Sequence, residues 1–426
     1  MSDSRAGFFR QSAWLGVATV LGGVFLTAVH PVFGRGRAAE YEVFGTMLRL
    51  FLLLGIPSAG LQVTFAQQSA IAITPEARAR LATTTRAVLG GIVIFWAALL
   101  LAAVIGRDAL TALWRLGDSR VLWPTLGVGL MGLLLPVLRG LLQGRQDFAT
   151  LGWLAILDGL LRLLLILAAL HLLHCGAAGA LVAVLLGMLL TTALGAWRTR
   201  DVWCHPGAPV DWRRWLGNAL PFTAGAGALL ILANVDVPYL QATIPGPLAS
   251  HFRMGEGYIP AAMIGFALVQ FTGQLAVVMF PKIARSVAGR LPTDALTLAF
   301  LGTLLLGTLA VAFVSVFPQL PLRIVYFTNP AALAAAPVVP WHTSAMVAFA
   351  LANVLVANQL ARGRFWIVGW LIAIVAAYLG TLTGIRSHLL TLEPVAAYRL
   401  LTQVLGAYSL LLLLIAAALT WRPAAR

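Results

Sequence analysis

The segment LDGLLRLLLILAAL (157–170) is almost entirely apolar, yet it contains Asp158 and Arg162. Similar apolar runs of roughly 20 residues recur along the chain, and a helix needs about that length to cross a bilayer. A membrane-spanning barrel would instead show short strands of alternating apolar residues. Because the runs here are long, continuous and rich in Leu, Ala and Gly, the sequence predicts membrane-spanning helices.

The overall composition supports a polytopic membrane protein. Of the 426 residues, 60% are hydrophobic and only 10% are charged, whereas soluble domains carry about 25% charged residues. The net charge is +15. In a soluble protein that excess would suggest nucleic acid, but basic residues of membrane proteins gather in cytoplasmic loops. We therefore expect no nucleic-acid partner.

The pattern predicts an all-α fold of about twelve transmembrane helices. Their approximate ranges are 12–33, 44–70, 87–106, 123–142, 151–172, 177–197, 218–240, 258–280, 295–317, 339–360, 365–385 and 395–420. The longest connections, near 198–217 and 318–338, are too short for a soluble catalytic domain, so we expect that the protein is not an enzyme. The first run is a full span without a signal-peptide cleavage site.

The distribution of basic residues predicts the orientation of the chain. With both termini in the cytoplasm, the cytoplasmic segments hold more Lys and Arg than the outer segments, as the positive-inside rule requires. The outer 107–120 loop, which contains Arg107, Arg115 and Arg120, is the exception.

An internal repeat is visible at a single offset. RQDFATLGW (145–153) aligns with RGRFWIVGW (362–370) through identical Arg, Phe, Gly and Trp residues, at an offset of 217 residues (362 − 145). The same offset aligns Tyr41 with Tyr258 and Gly90 with Gly307. It predicts an N-terminal six-helix bundle, 1–205, and a C-terminal one, 206–426, in parallel orientation and related by pseudo-two-fold symmetry about the membrane normal.

Several motifs resemble the bacterial polysaccharide flippases, which belong to the same superfamily as MATE exporters. They are NVDVPYL (234–240), GEGYIPAAMIGFALVQFTGQLAVVMFPKIARS (255–286), RGLLQGRQDFATLGW (139–153) and AEYEVFGTMLRLFLLLGIPSAGLQVTFAQ (39–67). The resemblance implies a MATE-like pair of six-helix bundles that rock to expose a central cavity alternately to each side of the membrane.

The resemblance also implies a function. The substrate would be an oligosaccharide linked to a polyprenyl diphosphate, as in O-antigen and lipopolysaccharide biosynthesis, moved to the outer leaflet of the bacterial cytoplasmic (inner) membrane. Polymerase or other assembly partners would act beside it, together with membrane lipids. No nucleotide-binding loop is present, so energy would come from an ion gradient or from metabolism.

Charged residues inside predicted spans are candidate substrate ligands, because burying each one costs about 3 kcal/mol on insertion scales. Asp158 and Arg162 share one helix face. They either neutralise each other in packing or line the cavity. Arg49 and Arg399 lie near the outer helix ends, where they either reach the headgroups or attract a diphosphate.

The remaining candidates are an acid and several amides. Asn234 and Asp236 lie near the outer end of helix 7, where the acid either binds Na⁺ or a proton to couple transport or makes a helix-end hydrogen bond. Gln270 and Gln274 share a face of helix 8, where amides bind sugar hydroxyls or join helices.

Three other functions are alternatives to a flippase. A MATE-like exporter of small organic cations should have a cavity dominated by acids. A membrane polymerase or ligase should carry a large outer loop with Arg and His, and a non-transporting scaffold is the third alternative. No cofactor or metal is expected. His171, His174 and Cys175 could be drawn as a metal cluster, but they lie where a helix leaves the membrane, and polar side chains are ordinary there. Cys175 and Cys204 are predicted on opposite sides of the membrane, which disfavours a disulfide between them.

Overall fold

The computed structural model describes residues 5–34, 43–44, 47, 54–113, 119–244, 248–326 and 330–421. This part of the chain is mostly helical and contains no strand. Its long helices, in chain order, are α1 (Arg5–Gly34), α2 (Gly55–Ile71), α3 (Pro75–Ile105), α4 (Leu122–Gly144), α5 (Phe148–Leu167), α6 (Ala177–Arg198), α7 (Trp212–Asn234), α8 (Ile259–Gly289), α9 (Ala295–Val316), α10 (Val339–Ala361), α11 (Trp366–Gly384) and α12 (Pro394–Trp421).

The predicted all-α membrane fold is confirmed. Within the described residues, 11 helices are long and apolar enough to cross a bilayer. The predicted span 44–70 coincides with α2, which has 17 described residues, and the residues directly before Leu54 lie outside the described part. Each of the other predicted spans overlaps one long helix.

Two helices differ from their predicted ranges for local reasons. Helix α3 begins at Pro75 rather than near 87, because Thr74 caps it by accepting a hydrogen bond from the Ala77 N–H at 3.2 Å. Hydropathy does not detect these polar first turns. Helix α7 ends at Asn234 and a short helix, Asp236–Thr243, follows. Pro238 has no N–H to donate to the carbonyl four residues back, so the helix breaks there.

Contacts group the chain into two compact units. The N-terminal unit is Ala13–Thr223, and the C-terminal unit combines Met1–Ser12 with Ala224–Arg426. The division into 1–205 and 206–426 stays a prediction. In the structure, the first part of α7 packs with the N-terminal unit. Each unit contains one copy of the repeat, 145–153 in the N-terminal unit and 362–370 in the C-terminal unit.

Peripheral helices expose large apolar side chains. On α3, Ile94 is 73% exposed and Ile105 is 79% exposed, and on α9 Leu305 is 61% exposed. Continuous apolar surfaces of this kind are unstable in water and match the hydrocarbon of a bilayer. The helices with most of their surface buried are α4 in the N-terminal unit and α10 in the C-terminal unit.

Helices α2 and α4 cross closely in the N-terminal unit. A Cβ at Gly140 or Gly144 would lie 2.5 Å or 2.4 Å from a backbone oxygen of α2, so only glycine permits this approach. Pro136 leaves the Gly132 carbonyl without its helical donor, and the Ser58 hydroxyl of α2 donates to that oxygen at 2.8 Å. The Ser69 hydroxyl of α2 likewise donates to the Leu141 carbonyl of α4 at 3.1 Å, so small residues and two hydroxyl groups hold the crossing together.

The repeat has the same local structure in both units. Helices α4 and α10 begin and end at the offset that separates Arg145 from Arg362. The turn after each helix has one residue with a left-handed backbone, Gln146 (φ 64°) and Gly363 (φ 70°). Three backbone hydrogen bonds of the first turn recur at the same offset in the second. The turn predicted from sequence identity is therefore one conserved shape within the chain.

Candidate functional site

The first polar centre lies within the N-terminal unit and is formed by Arg139, Asp158 and Arg162. Asp158 stands near the middle of α5 and is 6% exposed. Its Oδ1 accepts a hydrogen bond from the Arg162 guanidinium at 2.6 Å, and its Oδ2 accepts one from the Arg139 guanidinium at 3.1 Å. We call these three residues the arginine–aspartate centre.

This centre carries an excess of positive charge. Two guanidinium groups, which stay protonated in proteins, share one carboxylate. The Nε atoms of Arg139 and Arg162 are buried and make no hydrogen bond within the described part of the chain. Because a buried donor without an acceptor is costly, the centre is chemically suited to receive an anion.

The second polar centre lies within the C-terminal unit, where two helices are interrupted. Asp236 follows the break after α7, and Tyr258 precedes the first residue of α8. The Tyr258 hydroxyl donates to Asp236 Oδ2 at 2.5 Å, and His342 Nε2 lies 3.4 Å from the same oxygen. Asp236 is 2% exposed, Tyr258 0% and His342 1%. We call these residues the aspartate–histidine centre.

The His342 ring is held by close packing from α8. A Cβ at Gly265 would lie 2.3 Å from His342 Nδ1, so glycine gives the ring its place. Nδ1 is buried and has no hydrogen-bond partner in the described residues. The tautomer with its proton on Nε2 fits this geometry, since it donates to Asp236 and leaves no orphaned N–H group.

Further tyrosines surround the aspartate–histidine centre. The Tyr258 and Tyr398 rings lie 5.3 Å apart, and Tyr378 is close enough to Asp236 to interact electrostatically. The Tyr398 hydroxyl donates to the Phe252 carbonyl. The Tyr378 hydroxyl is buried without a partner in the described part of the chain. The neighbourhood of Asp236 is thus made of hydroxyl groups and one imidazole.

The structure separates the predicted site residues into two groups. Asp158 and Arg162 meet in the arginine–aspartate centre, and Asp236 meets Tyr258 and His342. Arg49 lies outside the described residues. The others are placed elsewhere: Arg399 and Gln270 are exposed, Gln274 donates back to the Gln270 carbonyl, and Asn234 donates to the Leu230 carbonyl of its own helix.

Sequence reasoning missed Arg139, His342 and the roles of the tyrosines. Arg139 falls inside the predicted span 123–142, and the structure places it within α4. His342 is a single histidine in an apolar span, and Tyr258 belongs to the G-x-Y motif. Their positions inside spans were the available signals, but neither pointed to Asp236.

The described residues hold no group of three or more His, Cys, Asp and Glu side chains that could bind a metal ion. Cys175 and Cys204 form no disulfide.

No protein-family model matches the chain, and no curated protein is similar in sequence. Solved structures do match its fold. A MATE protein in complex with MaL6 has a TM-score of 0.76 at 15% identity, covering 97% of this chain and 95% of its own. An outward-facing multidrug resistance MATE family transporter of the MOP superfamily has a TM-score of 0.75 at 16% identity, covering 96% and 94%.

A third structural neighbour shares the fold and differs in the polarity of its binding pocket. A MOP superfamily transporter from Pyrococcus furiosus, whose binding pocket of reversed polarity suggests a different function, has a TM-score of 0.72 at 14% identity, covering 97% of this chain and 96% of its own. At these identities the similarity shows a MATE-like fold. The charges inside the helices have to distinguish between substrates.

Proposed function

We propose that this chain is an alternating-access transporter that moves a polyprenyl-diphosphate-linked oligosaccharide across the bacterial cytoplasmic membrane. The observation that carries the proposal is the excess positive charge of the arginine–aspartate centre. The transporter fold of its structural neighbours supports the class of activity. The motifs that resemble polysaccharide flippases support the substrate.

The chemistry of the arginine–aspartate centre suits a diphosphate. Guanidinium groups donate paired hydrogen bonds to phosphate oxygens and form stronger bonds than neutral donors. Asp158 already accepts one hydrogen bond from each guanidinium group, which lowers the affinity of both groups for an added anion. A translocation path needs such partial compensation, because an uncompensated pair of arginines would retain the headgroup. Asp158 thus tunes the affinity of Arg139 and Arg162.

The remaining parts of the proposal follow from the sequence. Both termini lie in the cytoplasm, an ion gradient drives transport through the acid at Asp236, and envelope-assembly enzymes such as a polymerase act on the product. Arg49 and Arg399 supply further positive charge near the outer helix ends. The amides of Gln270 and Gln274 contact sugar hydroxyls.

A second candidate is a MATE-like exporter of organic cations. It is favoured by the multidrug resistance transporter among the structural neighbours and by the buried acid Asp236 in the C-terminal unit. The arginine–aspartate centre argues against it, because a site with excess positive charge repels a cationic substrate. Transport of the two substrate classes separates the candidates.

The test is translocation by purified protein in proteoliposomes. A fluorescent polyprenyl-diphosphate oligosaccharide and a fluorescent organic cation are assayed in parallel. We expect the anionic lipid to move, and Arg162→Gln to reduce its rate about tenfold, the value of one charge-assisted hydrogen bond. Arg386→Gln, which removes an exposed guanidinium, serves as the matched control.

Two results would contradict the proposal. Transport of the cation alone would establish the exporter. Equal lipid transport by wild type and Arg162→Gln would remove the arginine–aspartate centre from the substrate path. Gel filtration of each variant shows whether a lower rate of translocation comes from misfolding or aggregation.

A further inference from the structure

We infer that the turn between α10 and α11 binds the phosphate group of an anionic membrane lipid through Arg362 and Arg364. The turn lies within the C-terminal unit. The inference goes beyond the proposed transport activity, because the ligand is a lipid of the surrounding membrane rather than the transported substrate. We call residues 362–364 the arginine turn.

The turn after α4, which is equivalent in the repeat, has its charges paired. Arg145 donates to Asp201 at 2.7 Å, and Asp147 accepts from Arg198 at 3.5 Å. Two guanidinium groups therefore face two carboxylates. These four side chains carry no net charge, so they attract an added anion only weakly.

The arginine turn lacks the acids of that arrangement. At the repeat offset, Arg364 takes the place of Asp147, and Ala418 takes the place of Asp201. Among the described residues, no carboxylate forms an ion pair with Arg362 or Arg364. Both side chains are exposed. The turn therefore presents two uncompensated positive charges that an anion can reach.

The two arginines repel each other. Arg362 directly follows the last residue of α10. Partial burial lowers the pKa of Arg362, and the positive charge of Arg364 lowers it further. A like charge lowers the pKa of a cation because it disfavours the charged form. An anion that contacts both groups relieves this repulsion.

A buried amide orients one of the two guanidinium groups. Asn358 is 1% exposed, and its Oδ1 accepts a hydrogen bond from Arg362 Nε at 2.9 Å. The equivalent residue in the N-terminal unit is Leu141, which has no such acceptor. Within the described residues, the two terminal nitrogens of Arg362 make no hydrogen bond. They are the donors left for phosphate oxygens, which guanidinium groups bind through neighbouring N–H groups.

Two tryptophans favour a lipid as the source of the phosphate. Trp366 and Trp370 lie four residues apart at the start of α11, so they share one helix face. Both are exposed, Trp366 by 86%. Tryptophan is enriched where the hydrocarbon meets the lipid headgroups, and the residue equivalent to Trp366 in the N-terminal unit is Ala149. The arginine turn directly precedes these rings, and the apolar ring surfaces match lipid rather than a soluble acidic protein.

Native mass spectrometry of the full-length protein released from detergent tests the site. Bound lipids are counted while anionic phosphatidylglycerol is titrated, and zwitterionic phosphatidylcholine is the comparison lipid. The variants are Arg362→Gln, Arg364→Gln and Arg364→Asp, the last of which introduces the acid of the N-terminal turn. Arg145→Gln, which removes the ion-paired arginine at the equivalent position, is the matched control.

We expect wild type and Arg145→Gln to bind phosphatidylglycerol in preference to phosphatidylcholine. Each glutamine variant should weaken binding of the first phosphatidylglycerol about fivefold, the contribution of one arginine near a lipid surface. Arg364→Asp should weaken it further, because the new carboxylate compensates Arg362. Arg364 is exposed, so its variants should fold as wild type does.

Three results would overturn the inference. Equal affinities for the two lipids would do so and would favour an acidic protein segment instead. Equal binding of phosphatidylglycerol by wild type and Arg364→Asp would place the lipid elsewhere. An equal loss in Arg145→Gln would show that net charge alone explains binding.

A second arm of the experiment separates a lipid headgroup from free phosphate. Inorganic phosphate is added at millimolar concentration to the protein with phosphatidylglycerol bound. We expect the lipid to stay bound, because inorganic phosphate has no acyl chains to contact Trp366 and Trp370. Displacement of the lipid by phosphate would assign the arginine turn to a free anion and overturn the lipid assignment.

Discussion

The two units of this protein share a repeated helical frame but differ in their buried polar groups. In the N-terminal unit, Asp158 is held between two arginines, so the carboxylate is fully compensated and positive charge is left over. In the C-terminal unit, Asp236 is held by a tyrosine and a histidine, and among the described residues no Arg or Lys forms an ion pair with it. Similar backbones therefore support one centre built from two guanidinium groups and one built from a hydroxyl and an imidazole.

This difference follows from which positions of the repeat carry polar residues. At the repeat offset, Arg139, Asp158 and Arg162 correspond to Val356, Val375 and Leu379, which are all apolar. Helix frames tolerate such exchanges because the backbone hydrogen bonds are satisfied within each helix. Substitutions can therefore alter the polar centres without altering the repeated helices and turns, or the reverse.

The largest expected effect comes from removing the acid between the arginines. Asp158→Asn leaves two partly buried guanidinium groups without a counter-charge, and we expect the free energy of unfolding to fall by about 3 kcal/mol. Asp236→Asn should cost less than about 1 kcal/mol, since a neutral amide still accepts from Tyr258. Denaturation of the detergent-solubilised variants measures both. Equal losses in the two variants would show that the two centres do not differ in charge compensation.

A smaller effect is expected from crowding the histidine. Gly265→Ala places a methyl group against His342 Nδ1, and overpacking of this kind costs about 1–3 kcal/mol. Gly273→Ala lies on the same helix with nothing within 4 Å of the new Cβ, and alanine should stabilise the helix slightly. Thermal unfolding compares them. If both variants unfold at the wild-type temperature, the ring is not held by Gly265.

The repeated turn predicts changes of opposite sign in the two units. Gly363→Ala forces a side chain into the left-handed region, which costs about 1–2 kcal/mol, while Gln146→Gly relieves the same strain and should stabilise by a similar or smaller amount. Free energies of unfolding give the sign directly. A loss of stability in Gln146→Gly would mean that its side chain contributes more than its backbone strain costs.

The smallest effect concerns the start of the helix after each turn. Asp147 accepts from the Thr150 N–H at 3.1 Å and caps α5, whereas the equivalent position before α11 is the exposed Arg364. We expect Asp147→Ala to cost about 1 kcal/mol and Arg364→Ala to stay within about 0.5 kcal/mol. Chemical denaturation resolves the pair, and matching values would rule out a capping role for Asp147.

The sequence alone determined the class of fold and most of its helix positions. Apolar runs of membrane-spanning length predicted the long helices, because hydropathy reports directly on burial in lipid. The offset between Arg145 and Arg362 predicted the repeat whose turns share their hydrogen bonds. The spacing of Asp158 and Arg162 predicted their shared helix face, because residues four apart are neighbours in a helix.

Only the tertiary structure brought together groups that are distant in the chain. Arg139 reaches Asp158 from the neighbouring helix, and His342 reaches Asp236 across 106 positions of sequence. Helix periodicity constrains neighbours within a turn, but it contains no information about which faces of different helices meet. The hydrogen-bond partners of a buried acid depend on that packing.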